Sequence, residues 1–319
     1  MGLDLNGVRF ILYAQKIGVN FENTAMIGRQ ALDLTEYELR QILKSYGHFG
    51  KINIPEGFIK KNNRYAESLL NFIGAKSIHS YDVSPYEGAT HLHDMNMEIS
   101  KDLTDKYTTV LDGGSLEHVF NFPVAIKNCM EMIKVGGHFL GITPANNFMG
   151  HGFYQFSPEL YYSVFSRDNG FELVRMIAYE DKPGAKWYLV RDPKEVKSRI
   201  QTINNHPIYL LVIAKKILNV PIFKSTPQQS DYIAEWEASD NKSETKRILD
   251  KSLLADWAKR NLPFPIIFFI KNIMIRTGFN RKFFEPLNPH LPVSKKEPDR
   301  KFSTGEHSPK SQHIDKADK

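Results

Sequence analysis

Residues 107–147 read YTTVLDGGSLEHVFNFPVAIKNCMEMIKVGGHFLGITPANN. The β-branched, apolar run TTVLD is a strand that ends in an acid, Asp112, followed by Gly113 and Gly114. Pro123 is placed to start a helix, where its missing N–H costs nothing. That helix runs to about Lys134. Gly136 and Gly137 turn the chain back into a second strand, HFLGITP. Strand, crossover helix and strand make a parallel pair.

The same alternation extends in both directions. Upstream, VRFILYAQKIG is a helix, NTAMI a short strand opening at Gly28, and DLTEYELRQILKSYG a helix capped by Thr35 with Glu38 three residues on and closed by Gly47. GHFGKINIPEGFIKKNNR is an irregular insertion. YAESLLNFIGA is a helix ending near Gly74, KSIHSYDVS a strand ending in Asp82, and ATHLHDMN a shorter strand ending at Asp94. Downstream, SPELYYSVFSRDNG is a helix capped by Ser157 with Pro158 in its first turn. FELVRMIAYE and HPIYLLVIAKKI are two late strands separated by a polar insertion. Alternating strands and helices predict a mostly parallel sheet covered on both faces, with the late strands as an antiparallel edge.

The chain has 319 residues, 41% of them hydrophobic and 12% aromatic, enough for a large core. A lone cysteine, Cys129, excludes an internal disulfide and fits a reducing, cytoplasmic setting. The N-terminus lacks a basic region leading into an apolar run, so no signal peptide is expected. The formal charge of +6 is concentrated. Residues 241–282 carry ten Lys/Arg against three Asp/Glu, and the remainder is near neutral. This basic stretch includes PFPIIFFIKNIMIRTGFNRKFF, which is too short to span a bilayer. It reads as a solvated helical extension packed on the main domain, or as a peripheral membrane contact. Nucleic acid is not an expected partner, since no recognised motif accompanies the charge. The expected boundaries are a 1–219 α/β domain, a 220–293 basic helical extension and a 294–319 disordered tail.

In open α/β sheets, ligands lie beyond the carboxyl ends of the strands, where strand order reverses. Asp82, Asp94 and Asp112 each fall at such an end. An acid after the second strand can accept from two ribose hydroxyls. One after the third can accept from an adenine amino group. Gly113 and Gly114 let a ligand approach the backbone. Taken with the LDGGSLEHVFNFPVAIKNCMEMIKVGGHFLGITP pattern, the stretch from about Asn23 to Ile213 resembles the class I S-adenosylmethionine-dependent methyltransferases. The resemblance implies a Rossmann-like three-layer sandwich with a seven-stranded sheet, mostly parallel with an antiparallel edge strand. It implies S-adenosylmethionine as cofactor; the acceptor is expected to be a small molecule or glycan precursor, methylated at oxygen. It places Asp82 on the ribose, Asp94 with Met95 on the adenine, Asp112 and Gly113 at the methionine end, and Gly28 beneath the cofactor. The first loop departs from the family, with Gly28 alone and Arg29 and Gln30 where open space is usual. Arg29 could pair with the cofactor's carboxylate, or block the site. Gly28 and Asp82 are also 54 positions apart, against about 20 in such fingerprints.

Methyl transfer to a hydroxyl needs alignment and a base. His118, after Glu117, and His151, between Gly150 and Gly152, are the candidate catalytic bases. Glu117, Tyr154 and Gln155 are candidate substrate contacts. The alternating histidines of HLHD offer no further ligand cluster, so no metal is expected. Cys129, mid-helix among methionines, reads as a small hydrophobe. The polar QQSDY run at 228–232 reads as a linker that could fold back as a lid. A catalytically inactive methyltransferase-like binding protein is the alternative. A nicotinamide oxidoreductase is disfavoured, because no G-x-G-x-x-G follows the first strand.

Overall fold

In the computed structural model, which describes residues 2–48, 64–196, 198–233, 260–261, 263, 265–266 and 278–291, five strands run parallel. Their lateral order is β5 (His91–Leu92), β4 (Ser77–Asp82), β2 (Asn23–Ile27), β6 (Tyr107–Asp112) and β7 (Ile133–Asn146). The chain enters at β2, steps outward to β4 and β5, then crosses to β6 and β7 on the other side. Order therefore reverses between β2 and β6, and the crevice such a reversal creates lies beyond their carboxyl ends.

The sheet continues past β7 through four antiparallel strands, β10 (Ile208–Lys216), β8 (Phe171–Glu180), β9 (Trp187–Val190) and β11 (Phe284–Leu287). Among the described residues it is thus a mixed sheet of nine strands, which corrects the expected seven with one antiparallel edge strand. One surplus strand, β9, lies in the polar insertion. The other, β11, lies in the supposed helical extension and brings Phe283 and Phe284 into the core. Pro286 is tolerated because β11 is the edge strand. A separate parallel pair joins β1 (Gly2–Leu3) to β3 (Ala31–Leu32).

The strands alternate cleanly between two faces. Leu211 and Ile213 of β10 join the cluster built on α1 (Leu5–Lys16), α2 (Glu36–Ser45) and α3 (Glu67–Phe72). Leu210, Val212 and Ala214 join the one built on α4 (Phe122–Met132) and α5 (Pro158–Val164). The result is a Rossmann-like three-layer α/β sandwich. In α1, the cap from Gly7 N to Asp4 Oδ1 (2.7 Å) is worth about 1 kcal/mol. Phe10, Ile11 and Leu12, each no more than 1% exposed, contribute about 1.5–3 kcal/mol apiece, so packing holds this helix.

Local signals place the element ends. Thr35 and Glu38 form a reciprocal capping box, and Ser157 accepts from Leu160 N ahead of a helix with Pro158 in its first turn. Two boundaries differ from expectation. α4 passes into β7 at Ile133, two residues short of Lys134, so Gly136 and Gly137 lie inside a strand. They occupy a register irregularity: Tyr107 pairs with Ile133 but Thr109 with His138. A Cβ on Gly137 would stand 2.8 Å from Thr108 O. β5 stops at Leu92, leaving Asp94 in the following loop.

No helix among the described residues is long and apolar enough to cross a membrane. The core of the 47–64 insertion (residues 49–63), most of the basic stretch including 267–277, and the 294–319 tail lie outside the described residues.

Candidate functional site

Every candidate cofactor, catalytic and substrate residue stands at the carboxyl ends of the parallel strands, as the last residue of β4 or β6 or on the loops after β2, β5, β6 and β7. Ile27 of β2 pairs with Tyr81 on one side and Asp112 on the other. The next rung therefore sets Gly28 between Asp82 and Gly113. Gly28 has φ +70° and continues the ladder by donating to Tyr81 O at 2.8 Å. A Cβ there would stand 2.5 Å from Ser115 Oγ.

The loop after β2 is filled by its own side chains. Gln30 is buried. Its Nε2 donates to Ile27 O (2.7 Å), and Ser115 Oγ donates to the same carbonyl (2.7 Å). Gln30 lies on Gly113, where an added Cβ would run into its Oε1. Gly113 is thus covered, where the sequence predicts open backbone. Arg29 turns aside. Its Nε bonds Glu67 (2.7 Å), its Nη1 donates to Glu87 O (2.9 Å), and its guanidinium stacks on Tyr65 at 3.8 Å. It fastens the β4–β5 loop to α3.

The acids sit in different surroundings. Asp82 is half-buried, and one of its oxygens accepts from Ser84 N (3.0 Å). Asp94 is exposed and accepts from Asn96 N and Nδ2, donors that hold its carboxyl below the usual range. Met95 beside it is buried. Asn96 in turn receives Asn121 N at 2.8 Å, tying this loop to the start of α4. Asp112 is fully buried. Its Oδ1 accepts from Ser115 N (2.8 Å) and Leu116 N (3.3 Å).

Three buried acceptors of this edge have no donor among the described residues: Gln30 Oε1, Asp112 Oδ2 and Glu117 Oε2. Burial pushes Asp112 and Glu117 up, and Asp112 raises Glu117 further. Acceptors left bare in a low-dielectric place cost free energy until a donor or a cation arrives.

Glu117 and His118 lie on the 3-10 turn Leu116–His118. The loop after β7 closes on them because Glu117 O accepts from Phe153 N (2.8 Å) and Tyr154 N (3.2 Å). The approach requires Gly152, whose φ is +69° and whose added Cβ would stand 2.8 Å from Glu117 O. His151 Nε2 reaches Glu117 Oε1 at 3.4 Å, and the His118 and His151 rings stand 5.0 Å apart. Burial first, and His151 second, hold His118 below its ordinary value. Tyr154 Oη donates to Phe120 O (2.6 Å), and Gln155 Oε1 accepts from Phe148 N (2.8 Å). Both side chains brace the loop. Met149 and Phe153 are left exposed on it, as is Phe120 beside it, ahead of α4.

The histidines of HLHD separate: His91 stacks on Tyr81 at 4.8 Å and His93 Nε2 meets Met97 O at 3.1 Å. Cys129 is fully buried, and burial pushes its thiol well up, as a packed hydrophobe requires. Ser230, in the polar 228–232 run, folds back on α5 by donating N–H and O–H to Glu159 (2.8 Å each). The bare acceptor on Gln30 was hidden from sequence reasoning, as was the exposed apolar rim. Gln30 was legible only as a departure from the open loop.

No known protein family matches the sequence, and no curated protein matches it. Solved structures share part of its backbone course. TehB from Haemophilus influenzae is 14% identical over 65% of this chain and 61% of its own, with a TM-score of 0.34. A putative S-adenosylmethionine-dependent methyltransferase from Listeria monocytogenes is 15% identical over 67% and 100%, with a TM-score of 0.35. The 1,6-didemethyltoxoflavin-N1-methyltransferase of Burkholderia thailandensis is 12% identical over 67% and 78%, with a TM-score of 0.37. The chain spans about three-fifths of the length of TehB. At that level the likeness says nothing about ligand or substrate.

Proposed function

We propose that this chain is an S-adenosylmethionine-dependent methyltransferase that O-methylates a small molecule or glycan precursor in a reducing, cytoplasmic setting. One observation carries the reading: three donorless buried acceptors, Gln30 Oε1, Asp112 Oδ2 and Glu117 Oε2, gather where strand order reverses. A ligand with positively charged groups suits that place, and S-adenosylmethionine has an ammonium and a sulfonium. Its ammonium would supply the donor that Gln30 Oε1 lacks, while Arg29, held by Glu67 and Glu87, stays clear of its carboxylate. Asp82 would take the ribose hydroxyls, with Asp94 and Met95 at the adenine. Gly28 gives the close approach, and Asp112 and Gly113 border the methionine end.

When bound, this cofactor supplies a methyl group already activated on sulfur. The chain's own task is orientation and proton removal. His118, held below its ordinary value, is neutral near pH 7 and able to accept the acceptor's hydroxyl proton. Glu117 orients His151 across 3.4 Å. Tyr154 and Gln155 hold the loop on which an acceptor would rest, and Phe120, Met149 and Phe153 offer it an apolar surface.

Calorimetric titration with S-adenosylhomocysteine tests the proposal. Saturable binding of one equivalent is expected, at least tenfold weaker in Asp82→Ala. Absence of heat at millimolar ligand removes the enzyme reading. The second reading, a catalytically inactive binding protein, is favoured by the Gln30 side chain lying over Gly113.

A further inference from the structure

We propose that Glu117, His118 and His151 form a binding site for one divalent transition-metal ion, of which zinc is the natural probe. The three residues bring two imidazole nitrogens and a carboxylate oxygen within 4.8 Å of one another. Two imidazoles and one carboxylate, with a position left open, are the ligand set of catalytic zinc sites and of facial triads. Imidazole nitrogens disfavour magnesium and calcium, which take oxygen ligands.

Part of the geometry is already set. The contact from His151 Nε2 to Glu117 Oε1 is 3.4 Å. Two ligands about 2.1 Å from a tetrahedral ion stand about 3.4 Å apart. The remaining gap would close by rotation of His118, whose side chain is exposed. Glu117 does not move easily. Its side chain is 1% exposed, and its Oε2 is buried without a donor. Its other oxygen, Oε1, is the one that meets His151, so the carboxylate has capacity for a cation. The backbone fixes the pairing, since Glu117 O receives Phe153 N and Tyr154 N from the loop that carries His151. The carboxylate and the distant histidine are thereby held together in advance of any ion.

The site deepens the methyltransferase reading, although metal binding itself does not depend on it. Phe120 and Phe153, exposed and in ring contact with each other, flank the turn and loop that carry the three ligands and would offer an acceptor its apolar surface. An ion in the site would bind the acceptor's hydroxyl oxygen and lower its pKa, the proton passing to bulk water. Both histidines would then be ligands, and the base role proposed for His118 belongs to the ion-free site.

The test uses the full chain stripped with a chelator and titrated with Co²⁺, followed by visible absorption, then displaced by Zn²⁺. One equivalent is expected to bind at micromolar concentration or below, with the intense bands of a nitrogen-ligated low-coordinate site. His118→Ala and His151→Ala, both altered at partly or fully exposed side chains, should each weaken binding at least tenfold while leaving the circular dichroism spectrum unchanged. A doubly substituted His91→Ala/His93→Ala protein should bind as wild type. Lack of stoichiometric binding overturns the proposal. So does full binding by a His118→Ala/His151→Ala protein, or loss of binding only in the His91/His93 variant. A chain that binds S-adenosylhomocysteine and no metal would lose this site and keep its proposed activity. The opposite result would do the reverse.

Discussion

The carbonyl of Glu117 accepts the amides of both Phe153 and Tyr154, so the residue that carries the buried carboxylate also anchors the loop that carries His151. Gly152 makes this possible, with φ +69° and only 2.8 Å between an added Cβ and Glu117 O. Gly152→Ala should cost about 1–3 kcal/mol locally. Hydrogen exchange should show the Phe153 and Tyr154 amides losing protection while the β6 and β7 amides keep theirs. Unchanged exchange at both amides would mean that the loop is held some other way.

Gln30 separates the two functional readings. Its Oε1 is buried with no donor beside Gly113. If that oxygen serves a ligand ammonium, Gln30→Ala binds S-adenosylhomocysteine several-fold more weakly than wild type. If the side chain is a plug, the same variant binds more tightly. Equilibrium binding of the two proteins decides by sign alone.

The sheet contains an internal pH sensor of stability in His138. Burial, and secondly Lys215 opposite it on β10, holds its imidazole down to about 4. Unfolded, it returns to about 6.5. Its contribution is fully present above the unfolded value and is lost as pH falls from there toward the folded one, because only the unfolded chain takes up the proton. Urea unfolding should lose up to about 3 kcal/mol between pH 7.5 and pH 4 from this group. His138→Gln should flatten that slope. Parallel pH profiles for the two proteins would assign the loss elsewhere.

An ion pair with one buried partner closes the far end of the sheet. Lys216, 2% exposed, donates to Asp105 Oδ1 (2.8 Å) and Ile133 O (2.7 Å), while Asp105 is largely accessible. Removal of the acid strands a buried ammonium. Removal of the base leaves a carboxylate that water can reach. Asp105→Ala should therefore destabilise by about 2–4 kcal/mol, and Lys216→Met by clearly less. Chemical denaturation of both variants provides the comparison, and the reverse order would contradict the account.

Much of the fold was legible because its signals are local. Thr35 with Glu38, Ser157 with Pro158, and Pro123 each mark a helix start through a bond or a missing donor that needs no tertiary partner. Asp82 and Asp112 close strands whose neighbours follow from alternation. What escaped depends on distant pairing. Trp187–Val190 is four residues long and becomes a strand only by lying beside β8, and Phe284–Leu287 only by lying beside β9. Gly136 and Gly137 carry a turn signature but sit at an irregularity within β7, since α4 leads directly into that strand. In the site, the acids at strand ends were readable from position. The meeting of His151 with Glu117 was not, because it depends on a loop docking onto one carbonyl 34 residues earlier in the chain.

The most direct test of the whole account is the crystal structure of the chain grown with S-adenosylhomocysteine. The account predicts the adenosine between Asp82 and Asp94, the ammonium on Gln30 Oε1, and the sulfur turned toward His118 and His151. A ligand lodged away from Gly28, or a saturated crystal with Gln30 still sealed against Gly113 and no nucleoside at the edge, would contradict it.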